Sequence, residues 1–287
     1  MDASEQYFFD VNGYLVAENI LSPRLLDALN TAIDSCPDRV TVQHRNLADG
    51  AAAFAGDLPR SDFLDALSWP KPFCEPFREL ITLPAALRRI LPVVGDGLRL
   101  DSLRGTVMPP GAEGLTLHGG AGNPDSPIRY EVVDGRIRTN LVNVAYALTD
   151  VRADEGGFVC IPGSHKASFP CPPSIERLET PGDYARPIAV TAGSAVIFSE
   201  ALIHGTLPWT GKEPRRTLFV RYSPGAICLR PDPQPPNYAR FQDELTPLQR
   251  AVLEPPYHGN RPSIAELLPP VEQDHDDDAV PLRSGQH

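Results

Sequence analysis

RTNLVNVAYALTDVRADEGGFVCIP, residues 138–162, holds two short runs rich in Val, Ala, Tyr and Phe, separated by a polar, glycine-containing turn. Neither run carries the three-to-four spacing of an amphipathic helix, so both read as strands. The same texture recurs on either side, in LRLDSLRGTVM (98–108), PIAVTAGSAVIFSE (187–200) and RRTLFVRYSP (215–224). Several short strands with turn signals and no helical periodicity between them indicate an antiparallel sandwich or jelly roll. The 32 prolines among 287 residues point the same way, being about twice the usual share of roughly 5% and too many for a helical bundle.

Upstream of these runs the pattern is helical. In LSPRLLDALNTAID (21–34), Ser22 stands as N-cap, Pro23 takes the first helical position, and Leu25, Leu26, Leu29 and Ile33 share one face. LPAALRRIL (83–91) predicts a second helix. The expected layout is one domain over 1–270. It has a helical part over about 1–95, a β-core over about 96–226 and a C-terminal extension, followed by an acidic tail, 271–287, with the composition of a disordered segment.

Composition narrows the function classes. Hydrophobic residues make up 41% and charged residues 22%, the values of a soluble globular chain. With no run of eighteen apolar residues and no basic-then-apolar start in MDASEQYFFD, the expected location is cytoplasmic, without membrane contact. The five cysteines are widely spaced and lack CxxC, so reduced thiols are expected. A net charge of -11 disfavours nucleic-acid polymers, and docking onto another acidic carrier protein, as partners. No GxSxG elbow is present, Ser164 beside His165 has the wrong adjacency for a nucleophile and its base, and neither TGKEP nor GGAGNP completes a phosphate loop.

Seven histidines remain to be sorted. His275 and His287 fall in the tail, His44 and His258 in polar loop-like stretches, and His165 on a turn where a structural role is expected. His118 and His204 each end or begin a β-run beside glycine. They can meet only if the sheet folds back on itself, and by themselves they are weak evidence for a metal, because two neutral histidines are more often ordinary polar residues than ligands.

Five stretches in order, YFFDVNGYLVAENILSP (7–23), LHGG (117–120), YALTDVRADEGGFVCIPGSHK (146–166), GSAVIFSEALIHGTLPW (193–209) and RRTLFVRYSP, resemble the phytanoyl-CoA dioxygenase family of Fe(II)/2-oxoglutarate enzymes over about residues 7–260. The resemblance implies a mainly β protein with flanking helices around a double-stranded β-helix, the cupin-like jelly roll. It further implies His118 and His204 as iron ligands, and Arg215 as the clamp on the far carboxylate of 2-oxoglutarate. Thr206, two places past His204, could share that carboxylate. Arg215 and Arg216 are adjacent, so strand alternation turns only one of them inward; spacing favours Arg215.

The family pattern has a carboxylate two residues after the first histidine, and here that residue is Gly120. This resembles the non-haem iron halogenases, in which glycine or alanine leaves a coordination position for chloride, and it implies chlorination of an unactivated carbon with O2 as co-substrate. The alternatives are a hydroxylase whose third ligand comes from Asp125, Glu131, Asp134 or Glu200, and an inactive small-molecule-binding relative. The expected substrate is a free-standing small molecule. Arg99, Arg104, Arg129, Arg136 and Arg138 form a local basic excess that suits an anionic one such as a nucleoside monophosphate, with Arg138 and Asn143 as candidate contacts.

Overall fold

The computed structural model describes residues 1–43, 46–120, 122, 126–229 and 238–270. The helices are α1 (Ala3–Asn12), α2 (Pro23–Ser35), α3 (Glu75–Leu80), α4 (Pro84–Val94), α5 (Pro173–Glu176), α6 (Pro247–Leu253) and α7 (Ile264–Leu267). In α2 the Ser22 hydroxyl accepts from the Leu25 amide at 3.2 Å and Pro23 opens the first turn, as the sequence predicts. The face it buries is Leu25, Leu29, Ala32 and Ile33, each large side chain contributing about 1.5–3 kcal/mol on leaving water.

Thirteen strands are described: β1 (Tyr14–Ala17), β2 (Thr41–Val42), β3 (Ser61–Phe63), β4 (Leu98–Met108), β5 (Leu115–His118), β6 (Tyr130–Val133), β7 (Arg136–Thr139), β8 (Val142–Ala147), β9 (Gly157–Cys160), β10 (Arg186–Pro187), β11 (Ala195–Ser199), β12 (His204–Leu207) and β13 (Arg215–Pro224). They build a seven-stranded sheet in the order β1-β11-β8-β13-β4-β3-β2, a four-stranded sheet in the order β10-β9-β12-β5, and the separate β6–β7 hairpin. The two larger sheets are the halves of a double-stranded β-helix.

Side-chain alternation decides what each face of the large sheet does. Along β8, Val142, Val144 and Tyr146 join the main core with α2, α3 and α4. Ala145 and Ala147 turn the other way and meet Phe158 and Cys160 of the four-stranded sheet. Phe158 and Phe198 pack across the gap with ring centroids 4.8 Å apart. Along β13, Leu218, Val220 and Tyr222 likewise enter the helical core, which leaves Arg215, Thr217, Phe219 and Arg221 on the inward parity. The helices therefore cover one face, and the other face looks into the space between the sheets.

Residues 1–95 are not simply helical, because β1, β2 and β3 extend both edges of the large sheet. The expected tail, 271–287, lies outside the described residues. None of the five cysteines is in a disulfide, and among the described residues no helix is long and apolar enough to cross a membrane.

Candidate metal centre

His118 closes β5 and His204 opens β12, and the two are direct partners across that antiparallel pair. Their ring centroids stand 4.3 Å apart. The pairing slips between His204 and Thr206, so that Thr206 opposes Leu115, an irregularity of the kind that re-aims side chains beside functional sites. Each ring is tethered through Nδ1 to the backbone carbonyl two residues earlier, His118 to Thr116 at 3.0 Å and His204 to Leu202 at 2.8 Å. With Nδ1–H donating, each Nε2 keeps its lone pair for a metal. Burial, followed by the nearby His118, pushes the His204 pKa down to about 3, so its imidazole is neutral at ordinary pH. Phe158 and Phe198 flank that ring at 6.0 and 4.6 Å.

The third donor is Glu200, in the bend after β11. One ligand atom from each of His118, Glu200 and His204 lies within 4.8 Å of the others. Asn143 Nδ2 donates to Glu200 Oε2 at 2.5 Å, and Arg221 Nη2 stands 3.9 Å from the same oxygen. Burial alone would raise the Glu200 pKa, but Arg221, the two histidines and the Asn143 hydrogen bond together hold it below its ordinary value. The carboxylate is therefore ionised. Asn143 and Arg221 are themselves neighbours, being register partners on β8 and β13.

Gly120 does not face this cluster. A Cβ built on it would meet Ile203 Cδ1 at 2.5 Å, and Gly120 lines a separate cavity of about 450 Å³ together with Ile161, Phe169 and Ile203. The carboxylate that stands with the two imidazoles is that of Glu200, from the opposite sheet, and not a side chain at position 120. Gly119 has the steric role: its Cβ would stand 2.6 Å from the Leu202 carbonyl and 2.8 Å from that of Glu200. Only glycine lets the chain leaving His118 pass so close. Of the other carboxylates weighed, Glu131 is exposed on β6, Asp134 occupies the tip of the β6–β7 hairpin, and Asp125 lies outside the described residues.

Arg215, at the start of β13, is 3% exposed. Its Nη1 points at Met108 Sδ, 3.2 Å away, and its Nε has no hydrogen-bond partner. Among the described residues no carboxylate pairs with it. Burial, then the charge of Arg60, lowers its pKa to about 10. A buried guanidinium without a counter-ion is costly, and the far carboxylate of 2-oxoglutarate would supply what is missing, so the donor set fits that co-substrate. Arg216 turns outward to α2, donating to Asn30 at 3.1 Å and Asp34 at 2.5 Å. The strand parity is thus the one spacing favoured.

Residues 9–217 match the phytanoyl-CoA dioxygenase (PhyH) family. The chain belongs to that family. As a PhyH protein it is a non-haem iron, 2-oxoglutarate-dependent enzyme by class. The curated Dioxygenase cdmD of Talaromyces verruculosus is 33% identical over 99 residues, a stretch covering 33% of this chain and 31% of that protein. Among solved structures, HygX from Streptomyces hygroscopicus with nickel and 2-oxoglutarate bound superimposes with a TM-score of 0.66 at 21% identity, covering 79% of this chain and 89% of that one. The 2-oxoglutarate-dependent epimerase SnoN of nogalamycin biosynthesis gives 0.59 at 16% identity, covering 91% and 98%. At these identities the two structures establish the PhyH fold.

The remaining predicted residues divide. Thr206 is buried and lines, with His118, His204 and Gly205, a cavity of about 590 Å³ between the sheets. Asn143 is buried against Glu200 rather than open to that cavity. Arg138 is exposed on the β6–β7 hairpin and lines a different cleft, beside α4. The arginine excess is dispersed as well. Arg99 is buried 3.7 Å from Asp101, Arg129 donates to nearby carbonyls, Arg136 is exposed, and Arg104 alone of the five lines the metal-side cavity. Sequence reading passed over Arg60, Asp62 and Arg221, which do line it. Arg221 was recoverable, because a strand with Arg215 inward also turns residue 221 inward. Arg60 and Asp62 lie in and beside a three-residue strand that carries no alternation to read.

Proposed function

We propose that this chain is an Fe(II)/2-oxoglutarate-dependent oxygenase of a free-standing small molecule. Iron is held by His118, His204 and Glu200, and the far carboxylate of 2-oxoglutarate by Arg215 and Thr206. The observation that carries this is the meeting of two imidazoles and one ionised carboxylate within 4.8 Å, the two-histidine, one-carboxylate set that leaves open positions on a non-haem iron. Bound together, the metal and the 2-oxo acid would activate O2, the oxidant, with the 2-oxo acid giving up two electrons as it loses CO2, and so supply the chemistry that takes a hydrogen from an unactivated carbon. The protein supplies the rest. Backbone carbonyls fix the tautomer of both histidines, Asn143 orients Glu200, and Phe158 and Phe198 keep water from the His204 side.

Chlorination is the second reading. Residue 120 is glycine, turned toward a separate cavity, and offers the metal no ligand, while Glu200 Oε2 is already engaged by Asn143 at 2.5 Å. If that engagement keeps Glu200 off the metal, chloride takes the third place. Against this stands the charge of Glu200 itself, since a second anion beside it would be repelled. The test is anaerobic reconstitution with Fe(II) and 2-oxoglutarate, with and without chloride, reading the metal-to-oxoglutarate charge-transfer band. Oxygenation predicts a band indifferent to halide and lost in Glu200→Gln. A band that shifts on replacing chloride by bromide, together with a halogenated product, would overturn it in favour of chlorination.

A further inference from the structure

The cavity in front of the metal centre reverses the charge of the protein around it. Among the described residues its ionisable lining, beyond the histidines, is Arg39, Arg60, Arg104 and Arg221 against Asp38, Asp62 and Asp65, while the whole chain carries -11. The acids are also unevenly shared. Asp38 lies 3.7 Å from Arg39 at the rim. On the floor, Asp62 is shared by Arg60 at 3.4 Å, Arg104, and the Thr106 hydroxyl at 2.9 Å. Among the described residues Arg221 has Glu200 as its ion-pair partner, at 3.9 Å, and Glu200 is the residue assigned above to the metal.

Arg104, which shares Asp62, and Arg221, which stands 3.9 Å from Glu200, are close together by construction. Arg104 is the register partner of Phe219 across β4 and β13, and Arg221 follows Phe219 by two residues on the same face. Diagonal neighbours in an antiparallel pair have Cα atoms about 7–8 Å apart, a spacing that two long guanidinium side chains close around one oxyanion. Phe219 lies between them and lines the same cavity.

We infer that the substrate is a small molecule bearing a phosphate or carboxylate, with that group seated between Arg104 and Arg221 and its body packed on Phe219. The inference rests on the assignment of Glu200 to the metal centre. It places the anion on the opposite wall of the cavity from the histidines and leaves Arg215 to the co-substrate. The anion would make charge-assisted contacts with both guanidinium groups, and an uncharged analogue would lose both.

The test uses the full chain loaded anaerobically with Mn(II) and 2-oxoglutarate, titrated calorimetrically with three probes of one shape: phenyl phosphate, benzoate and phenol. At least one anion should bind about tenfold or more tightly than phenol, and the preferred one identifies the group. Arg104→Gln should remove about that advantage while Arg104→Lys restores part of it. Asp62 keeps Arg60 and Thr106 as partners in that variant. Arg221→Lys gives an independent second reading. Anions binding no better than phenol, or an anion preference untouched by both the Arg104 and Arg221 variants, would overturn the inference. Metal titration of Glu200→Gln separates the two claims: undiminished Mn(II) affinity there refutes the ligand assignment, whereas the probe series judges the arginine pair alone.

Discussion

Replacing Asn143 by alanine should weaken the metal centre without touching either histidine. Asn143 Nδ2 donates to Glu200 Oε2 at 2.5 Å, and Arg221 stands farther from that oxygen, at 3.9 Å. A hydrogen bond to an ionised group contributes about 1.5–3 kcal/mol, and each 1.4 kcal/mol is about tenfold in affinity. Loss of the amide should therefore lower metal affinity about 10- to 100-fold, the range found for partners that orient metal ligands. The assay is anaerobic titration of Mn(II) followed by electron paramagnetic resonance, with circular dichroism to check that β8 remains folded. Affinity within twofold of wild type in Asn143→Ala, alongside a large loss in Glu200→Gln, would show that Asn143 does not orient the carboxylate. A raised KM for substrate with unchanged metal affinity would return Asn143 to the substrate-contacting role that sequence reading gave it.

Arg215→Ala should raise the 2-oxoglutarate Kd by about 100-fold or more while leaving metal affinity nearly intact, measured by calorimetry with Mn(II) present; equal losses of both would deny the clamp. Gly120→Asp should destabilise the fold, because φ is +99° and the new Cβ would collide with Ile203; a cost of about 1–3 kcal/mol is expected for the backbone alone, read as a lower Tm, and a variant of unchanged Tm with tighter metal binding would contradict the geometry. Acid should destabilise the metal-free protein through His165, whose pKa burial lowers from 6.5 to about 4. The unfolded chain then binds a proton that the folded one refuses, so the His165 contribution is complete above about pH 6.5 and falls by about 3 kcal/mol as pH drops to about 4, with His204, likewise held neutral, adding to the loss in the same direction. Urea midpoints in EDTA across that window measure it, and His165→Gln should flatten the slope.

Much of this was legible in the chain because its strands are buried on both sides and flanked by turn residues. LRLDSLRGTVM coincides with β4 and RRTLFVRYSP with β13. Ser22 and Pro23 marked the start of α2 for stereochemical reasons that need no tertiary context. The strands missed were short or peripheral. β2 has two residues and β3 has three, too few to show alternation, and both owe their conformation to pairing with β4. The β6–β7 hairpin did carry a signal, the Asp134–Gly135 pair with both residues at positive φ, which is the composition of a tight hairpin turn. The histidines were found by their place in a motif. Glu200 was one of four open candidates, because its convergence depends on how a bend is oriented between two sheets, and no local spacing encodes that.

His118 and His204 are partners on neighbouring strands, and β5 is the terminal strand of its sheet. A metal ion held by both would act as a reversible cross-link that closes the chain between those positions and pins an edge strand to its neighbour. Its strength would be set by supply, since stabilisation grows with the logarithm of free metal over Kd and reaches about 2.7 kcal/mol at a hundredfold excess. In iron-poor conditions the first part of the fold to loosen would be β5 and the glycine turn after it. The protein's lifetime against proteases would then report on the metal status of its surroundings.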